Sequence, residues 1–467
     1  MKTREDNSLL IAFYGDDFTG STDALEFLSR EGIRTVLFID TPDDQQLKKY
    51  EGLQAIGIAG KTRTMSPADM ESELRPAFEK LKQINPGHIH YKVCSTFDSS
   101  PETGSIGTAL DTGVGIFQPD FVPLLVAAPV LGRFCVFGNL FARMGIGSNG
   151  SIYRLDRHPS MSRHPVTPAN ESDLRLHLEK QTEETTGLID ILQLGLPVAE
   201  LREQVTLRVS QGNKVVLIDA LHQEQMKNIG YLIDSYRGHK PVFSVGSSGI
   251  EMALGACWKE KGLVNSSSSW ENAGYAGPVL IASGSCSPVT SAQIAFALSA
   301  GFAEIEIDTE SLAEEDSSEE TLAVYVSAAA ALLGAGRNVL IHTSRGNDDL
   351  RVIKTDLIFK SKGLAKADTA RLYGTFLGEI ARRVAVSGIL KRIIIAGGDT
   401  SSYAARQMGI EAVEMIAAIS PGAPLCRAYA PGSPVDGLEV NFKGGQVGKE
   451  DYFITASGEK PTNQIIL

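Results

Sequence analysis

Residues 9–30 read LLIAFYGDDFTGSTDALEFLSR, and this stretch sets how the rest of the chain is read. Leu9–Tyr14 is a short apolar run, the length of a buried strand, and it ends in the polar turn Gly15-Asp16-Asp17. From Ser21 to Arg30 the residues Ala24, Leu25, Phe27 and Leu28 share one helical face. Gly32 follows as a stop, and Thr19 or Ser21 is the expected N-cap. Strand, polar turn and helix in that order open a parallel α/β sheet.

The unit recurs. Gln54–Ile58 runs into AGKTR, Ile89–Val93 into CSTFDS, Val242–Val245 into GSSG and Val279–Ala282 into SGSCS. Val339–Ile341 runs into HTSRG, Arg392–Ala396 into GGDTSS, and Val215–Ile218 is a further apolar run. Pro288 before Val289–Leu298 with Gly301 beyond it predicts a helix, and Thr400 or Ser401 is the expected cap of another that runs through Met408 to Gly409. Residues 261–277, KGLVNSSSSWENAGYAG, have no apolar period and read as a linker between domains 1–260 and 278–467. The expected fold is α/β, two domains, each with a mainly parallel sheet flanked by helices, with the active site in the cleft between them, where the polar strand tails gather.

Composition agrees with that organisation. A single core rarely exceeds roughly 250–300 residues, so 467 residues imply about two domains. The net charge of −12 argues against a nucleic-acid partner, which needs a basic face. The most apolar stretches, Phe121–Leu131 and Ala323–Ala335, fall short of the ~20 residues that span a bilayer, and the N-terminus lacks a secretory pattern. The expected location is cytoplasmic. Five cysteines without CxxC spacing fit reduced thiols. Forty-six glycines, about a tenth of the chain, suggest tight turns or close approach of backbone to ligand.

Several familiar patterns carry little. Gly145–Gly150 matches GxGxxG by letters but follows Asn139–Met144 and runs into the Arg- and Pro-rich SIYRLDRHPSMSRHP instead of opening a helix, which leaves a nicotinamide-dependent dehydrogenase as a weak alternative. No GxxxxGK[ST], kinase HRD/DFG set or GxSxG is present. His88 and His90 lack a third metal ligand and read as ordinary strand histidines. The basic loop Arg154, Arg157, Arg163 and His164 divides evenly between a substrate lid and a solvated turn.

Two constellations carry more. Asp16-Asp17 lies at a strand end, where one carboxylate serves as a turn or cap residue and the other, Asp17, as general base for a hydroxyl. Gly397-Gly398-Asp399-Thr400 between a strand and a helix, with the second hydroxyl-bearing loop Ser283–Ser287, has the make-up of a phosphate cradle.

Taken together and in this order, GDDFTGSTDALEFL, KVCSTFDSS, ASGSCSPVT, AGGDTSS and FKGGQVGKEDYF resemble the four-carbon acid sugar kinase family over residues 10–455. The resemblance implies a sugar-acid-binding domain followed by a nucleotide-binding domain, and ATP-dependent phosphorylation of a terminal hydroxyl. It further implies that Ser283, Gly397, Gly398, Asp399, Thr400 and Gly445 contact ATP, and that Asp17, Arg63, Lys92, Cys94, Ser95 and Thr96 surround the acid. Arg63 and Lys92 suit a carboxylate through charge-assisted bonds. Mg²⁺ is implied with ATP, with no protein metal ligand assigned. The CSTFDS form resembles the 3-oxo-tetronate kinases, whereas the tetronate branches for threonate and erythronate typically carry Asp in place of Cys94. A branched acid such as 3-oxo-isoapionate is the alternative substrate, and a non-catalytic sugar-acid sensor the alternative of another class. The last motif departs from KSGNFG at Gly444, Gln446 and Val447. The expected partners are ATP and a small anionic sugar acid, with no nucleic acid or membrane and with homo-oligomerisation left open.

Overall fold

The computed structural model describes residues 9–144, 150–164, 166–264, 270, 273–314, 319–346, 348–363 and 366–459. Of the GIGSNG run only Gly150 is among them, and residues 265–269 and 271–272 of the expected linker lie outside them. The chain forms two compact units that divide between Ser268 and Ser269.

The strands of the first unit are β1 (Ile11–Gly15), β2 (Thr35–Phe38), β3 (Ala55–Ala59), β4 (His88–Lys92), β5 (Val122–Leu125) and β6 (Arg133–Val136). They are followed by β7 (Asn139–Arg143), β8 (Ile152–Arg154), β9 (Thr186–Ile189), β10 (Val215–Ile218) and β11 (Val242–Gly246). Eight of them pair side by side in the order β2-β3-β1-β4-β11-β5-β10-β9, all parallel. β1, β3, β4 and β11 are buried along their whole length, as sheets covered on both faces require. The chain leaves β1 toward β2 and β3 on one side and returns to β4 on the other, so the order reverses beside β1. Such a switch point opens a crevice at the carboxyl ends of the strands.

A feature that the apolar runs did not announce is a second, antiparallel sheet of β6, β7 and β8. Phe137 and Gly138 both take positive φ, 50° and 80°, as a two-residue primed hairpin turn demands. Asp219 holds the turn by accepting from the Phe137 N–H at 2.5 Å and the Gly138 N–H at 3.0 Å.

The second unit contains β12 (Leu280–Ser283), β13 (Ala303–Glu306), β14 (Val339–His342), β15 (Arg392–Ala396), β16 (Ala412–Ser420), β17 (Ala423–Tyr429) and β18 (Glu439–Lys443). Their order is β13-β14-β12-β15-β18-β17-β16, parallel as far as β18 and antiparallel on both sides of β17. Its core gathers Val279, Ile281, Ile294, Leu340, Ile394 and Phe453. Both sheets are thus mainly parallel and flanked by helices, as the recurring strand-turn-helix unit predicts. No helix among the described residues is long and apolar enough to cross a membrane.

Two helix starts differ from the sequence expectation. The first helix, Phe18–Arg30, begins before Thr19 and Ser21, because Asp17 is its cap: the Asp17 side chain accepts from the Gly20 N–H, while the Ser21 hydroxyl donates back to the Asp17 carbonyl. The helix Gly398–Gln407 likewise starts before Thr400, with Gly397 at its cap position and no capping side chain. Pro288–Ser299 has Ser287 as cap and Pro288 in its first turn.

His88 and His90 are inside the first unit. His88 Nε2 meets Asp234 at 3.0 Å, and Asp234 also accepts from Trp258 Nε1 at 3.0 Å, so one carboxylate joins β4 to the helices Gln223–Asp234 and Gly249–Glu260. His90 Nδ1 lies 3.0 Å from the Ser244 hydroxyl. The same two helices pack so closely that a Cβ on Gly230 would stand 1.9 Å from the Ala253 carbonyl oxygen. Gly230→Ala should therefore destabilise the protein by about 1–3 kcal/mol in urea unfolding. Gly115→Ala, in the helix Ile106–Phe117 with nothing within 4 Å of the new methyl, should stabilise it by about 0.5–1 kcal/mol. Equal effects would refute the close approach.

Candidate functional site

In the first unit the parallel register brings Gly15 of β1 level with Ala59 of β3 and Lys92 of β4, and Lys92 level with Gly246 of β11. The loops that leave these ends carry Asp16-Asp17, Lys61-Thr62-Arg63, Cys94-Ser95-Thr96 and Ser247-Ser248. Backbone bonds lock them: the Asp16 N–H donates to the Lys92 carbonyl at 2.8 Å and the Arg63 N–H to the Asp16 carbonyl at 3.0 Å.

The side chains sort the two aspartates. Arg63 grips Asp16 with two bonds, Nη2 to Oδ1 at 2.8 Å and Nε to Oδ2 at 3.2 Å, and gives Nη1 to Asp17 Oδ2 at 2.8 Å. Asp16 is buried; burial pushes its carboxyl up and Arg63 opposes the shift. Asp17 is more open, with 16% of its side chain exposed. It accepts from the Gly20 N–H at 2.7 Å, the Thr19 hydroxyl at 2.8 Å and Arg63. A carboxylate offers about four acceptor sites, so roughly one remains for an incoming hydroxyl. Arg63, expected to face a substrate carboxylate, thus directs its fork to the two aspartates.

Lys92 is buried with its Nζ donating to the Val93 carbonyl at 3.0 Å and lying 3.6 Å from Asp23 Oδ2. Burial works against its charge, but nearby carboxylates, Asp23 foremost, outweigh it and hold the ammonium above its ordinary value. Cys94 Sγ lies 3.0 Å from the Thr96 hydroxyl, and burial pushes the thiol up to about 11, so it stays protonated. Ser95 accepts from Arg133 Nε at 3.2 Å. Arg133, on β6, is buried and forms no ion pair among the described residues; its other bonds go to the carbonyls of Leu131 and Arg143.

Asp23, Glu251 and Arg133 escaped the sequence reading. Asp23 lies in the second turn of the helix Phe18–Arg30 and Glu251 in the first turn of the helix Gly249–Glu260, and Arg133 comes from the antiparallel sheet that no apolar run signalled. In the basic loop, Arg154 and Arg157 both pair with Asp156, Arg157 with three quarters of its side chain exposed.

In the second unit Ser283 of β12 is level with Ala396 of β15, and Ala396 with Lys443 of β18, which gathers three loops. They interlock through missing side chains. A Cβ on Gly284 would fall 2.4 Å from the Thr400 hydroxyl oxygen, and one on Gly397, where φ is +124°, 2.7 Å from the same atom. A Cβ on Gly445 would be 3.0 Å from the Ser285 hydroxyl oxygen. Ser283, Thr400 and Gly445 are thereby brought together, with Gly398 and Asp399 in the first turn of the uncapped helix. The Ser283 hydroxyl is fully buried and has no hydrogen-bond partner among the described residues. Amides at a helix start, an open hydroxyl and glycine backbone are the donor set that an anion needs. Ser287, already named in the Ser283–Ser287 loop, supports the Gly445 turn from below together with Thr290 and Lys443, neither of which the sequence had singled out. In a carboxylate–histidine group elsewhere in this unit, the Arg345 guanidinium pairs with Glu304 and Glu306, and Glu304 also meets His342.

Residues 11–254 match a family model described as a sugar-binding N-terminal domain, and residues 280–453 one described as a nucleotide-binding C-terminal domain. The chain is 42% identical to the 3-oxo-isoapionate kinase of Paraburkholderia graminis, over 95% of this chain and 93% of that protein. It is 29% identical to the 3-oxo-tetronate kinase of Salmonella typhimurium, over 97% of this chain and 99% of that one. A crystal structure from Salmonella typhimurium LT2 matches with a TM-score of 0.74 at 27% identity, covering 96% of this chain and 98% of its own.

Glu251 generates a prediction of its own. It is fully buried, neither carboxyl oxygen has a hydrogen-bond partner among the described residues, and His90 Nε2 stands 3.6 Å away. Burial pushes Glu251 up to about 8, with Lys92 opposing, and burial followed by Lys92 pushes His90 down to about 3. Both are neutral at pH 7. Between the ordinary 4.5 and about 8 the folded chain keeps a proton that the unfolded chain releases, so this contribution to stability is lost as pH rises through that window. Glu251→Gln removes the titration and keeps the shape. Urea midpoints at pH 5 and pH 9 should shift in favour of the variant by about 2–4 kcal/mol at the higher pH; a gap independent of pH would refute the neutral carboxyl.

Proposed function

This chain belongs to the four-carbon acid sugar kinase family, and on that footing we propose that it transfers the γ-phosphoryl group of ATP to the terminal hydroxyl of a small 3-oxo sugar acid. The observation that carries the proposal is the presence, in one chain, of two strand-end sites of opposite make-up. One is a cluster of carboxylates and cations suited to a hydroxy acid; the other is a cradle of glycine and hydroxyl donors suited to a polyphosphate. Domain 1–260 would bind the acid and 278–467 the nucleotide, with 261–277 as linker. A cytoplasmic location agrees with five free cysteines.

In this reading the substrate hydroxyl oxygen attacks the γ-phosphorus, the bond from that phosphorus to the bridging oxygen breaks, and ADP leaves. The hydroxyl proton passes to Asp17, whose remaining acceptor site faces the acid. Asp16 and Arg63 hold Asp17 in place, and Lys92, Cys94, Ser95 and Thr96 form the wall. Arg133, a buried cation without a carboxylate partner, takes the substrate carboxylate, a role that Arg63 is poorly free to fill. Ser283, Gly397, Gly398, Asp399, Thr400 and Gly445 contact ATP, the glycine amides and hydroxyls facing its phosphates. Mg²⁺ on ATP would neutralise charge developing on the phosphoryl oxygens, and Asp399, an oxygen donor in the first turn of the cradle helix, is chemically suited to hold such a hard cation.

For the acid itself, identity favours the branched 3-oxo-isoapionate over the linear 3-oxo-tetronate, 42% against 29% in the relatives above. The protonated Cys94 thiol, a weak acceptor, suits a carbonyl neighbour better than the Asp of the plain tetronate branches would. ADP release with Mg-ATP should be fastest per kcat/KM on 3-oxo-isoapionate, lower on 3-oxo-tetronate, and lower again on threonate and erythronate. A preference for 3-oxo-tetronate would reverse the choice of substrate, and no ADP release with any of the four acids would sink the kinase reading.

Asp17→Asn keeps a good N-cap residue but loses proton affinity. It should lower kcat by about 10²–10⁴-fold with ATP affinity unchanged in calorimetry, whereas near-normal turnover would remove Asp17 from the reaction.

A further inference from the structure

Lys443 closes β18 beneath the cradle and is completely buried. Its Nζ donates to the Thr290 hydroxyl at 3.0 Å and the Gly444 carbonyl at 2.9 Å, reaches the Gly445 carbonyl at 3.5 Å, and lies 5.6 Å from the centroid of the Tyr452 ring. Every partner is neutral. The helix Pro288–Ser299 turns Thr290 toward it, with the cap residue Ser287 alongside on Gly445; the helix Tyr452–Ser457 supplies Tyr452. The neighbouring strand β15 ends in Ala396. No carboxylate and no second cation acts on Lys443 from any of these elements, and burial alone pushes the ammonium down to about 7.

The geometry around Gly445 has a direction. Its carbonyl accepts from Ser287, from Thr290 at 3.0 Å and from Lys443 at 3.5 Å, so it is drawn toward the lysine. In a trans peptide the next N–H points the opposite way, so that of Gln446, an exposed residue, faces away from Lys443. A lysine that costs solvation and finds no anion inside the fold, set under a turn that offers an amide outward, is half of an ion pair whose other half comes from outside.

We propose that Lys443 is the positioning cation of the nucleotide site, and that binding of a nucleoside triphosphate is coupled to uptake of a proton onto its amine. The inference rests on the nucleotide-binding reading and deepens it. The incoming polyphosphate supplies the missing negative charge, which favours the ammonium, and the charged ammonium in turn grips the Gly444 and Gly445 carbonyls and orients the amides of that loop. Affinity should be highest below about pH 7 and fall by up to about tenfold per pH unit above it, until the bound-state value of the amine is reached.

The test is calorimetry of the full chain with a non-hydrolysable ATP analogue and Mg²⁺ at pH 8, repeated in buffers of different ionisation enthalpy. At that pH the analogue's own phosphates are ionised, so proton uptake reports on the protein. Wild type should take up close to one proton per nucleotide. Lys443→Met should take up none and bind about 10- to 100-fold more weakly, with sugar-acid affinity unchanged, and Lys443→Arg should recover affinity without the proton uptake. The wild-type measurement needs no variant to fold. Tight binding with no proton exchange overturns the proposal and leaves the kinase reading standing; failure of wild type to bind the analogue overturns both.

Discussion

The level ends of parallel strands are the constraint on which the rest of this protein depends. In an evenly hydrogen-bonded parallel ladder a residue's neighbours are fixed along the whole strand, so strands that start in register also finish in register. Gly15, Lys92 and Gly246 finish together in one unit, and Ser283, Ala396 and Lys443 in the other. Loops far apart in sequence therefore start from adjacent points, and a few residues of each suffice to build a site. A slip of one residue would turn Asp16 or Ser283 toward the opposite face of its sheet.

The two sites use charge in opposite ways. The first is dense with ions that answer one another: Asp16 and Asp17 with Arg63, Asp23 with Lys92. Buried charges are tolerated only when paired and hydrogen-bonded, and here each pair also fixes an orientation that a substrate hydroxyl would need. Where compensation runs out, at Glu251 and His90, the groups stay neutral. The second site is built differently. Its donors are amides and hydroxyls that approach closely because Gly284, Gly397 and Gly445 have no side chain. A polyphosphate brings its own charge, so the protein needs shape and donors more than balanced pairs.

Much of this was legible in the residues. The strands β1, β4, β11, β12 and β15 lie within one or two residues of the runs that predicted them, because a strand buried on both faces is mostly apolar and short enough to stand out, even where, as in β4, His88, His90 and Lys92 interrupt it. The Asp17 and Gly397 loops were found for the same reason: each is a polar break directly after such a run. The antiparallel sheet was not legible. Its strands alternate or are half-exposed, and its turn is Phe137-Gly138, a pair that local preference does not favour at positive φ and that Asp219 stabilises from 81 residues away.

The sequence by itself determined the class of fold, the places where chemistry could occur and the residue types available there, since these follow from local periodicity and from the chemistry of short motifs. The tertiary structure decided which groups are spoken for. Arg63 looks like a substrate cation in the sequence, and its position opposite both aspartates commits it to them. Arg133 and Lys443 look like unremarkable strand residues, and only the fold shows that both are buried with no ion pair among the described residues. Whether a charge is balanced depends on what lies within a few ångströms of it, and in a parallel sheet those neighbours come from strands up to hundreds of residues away.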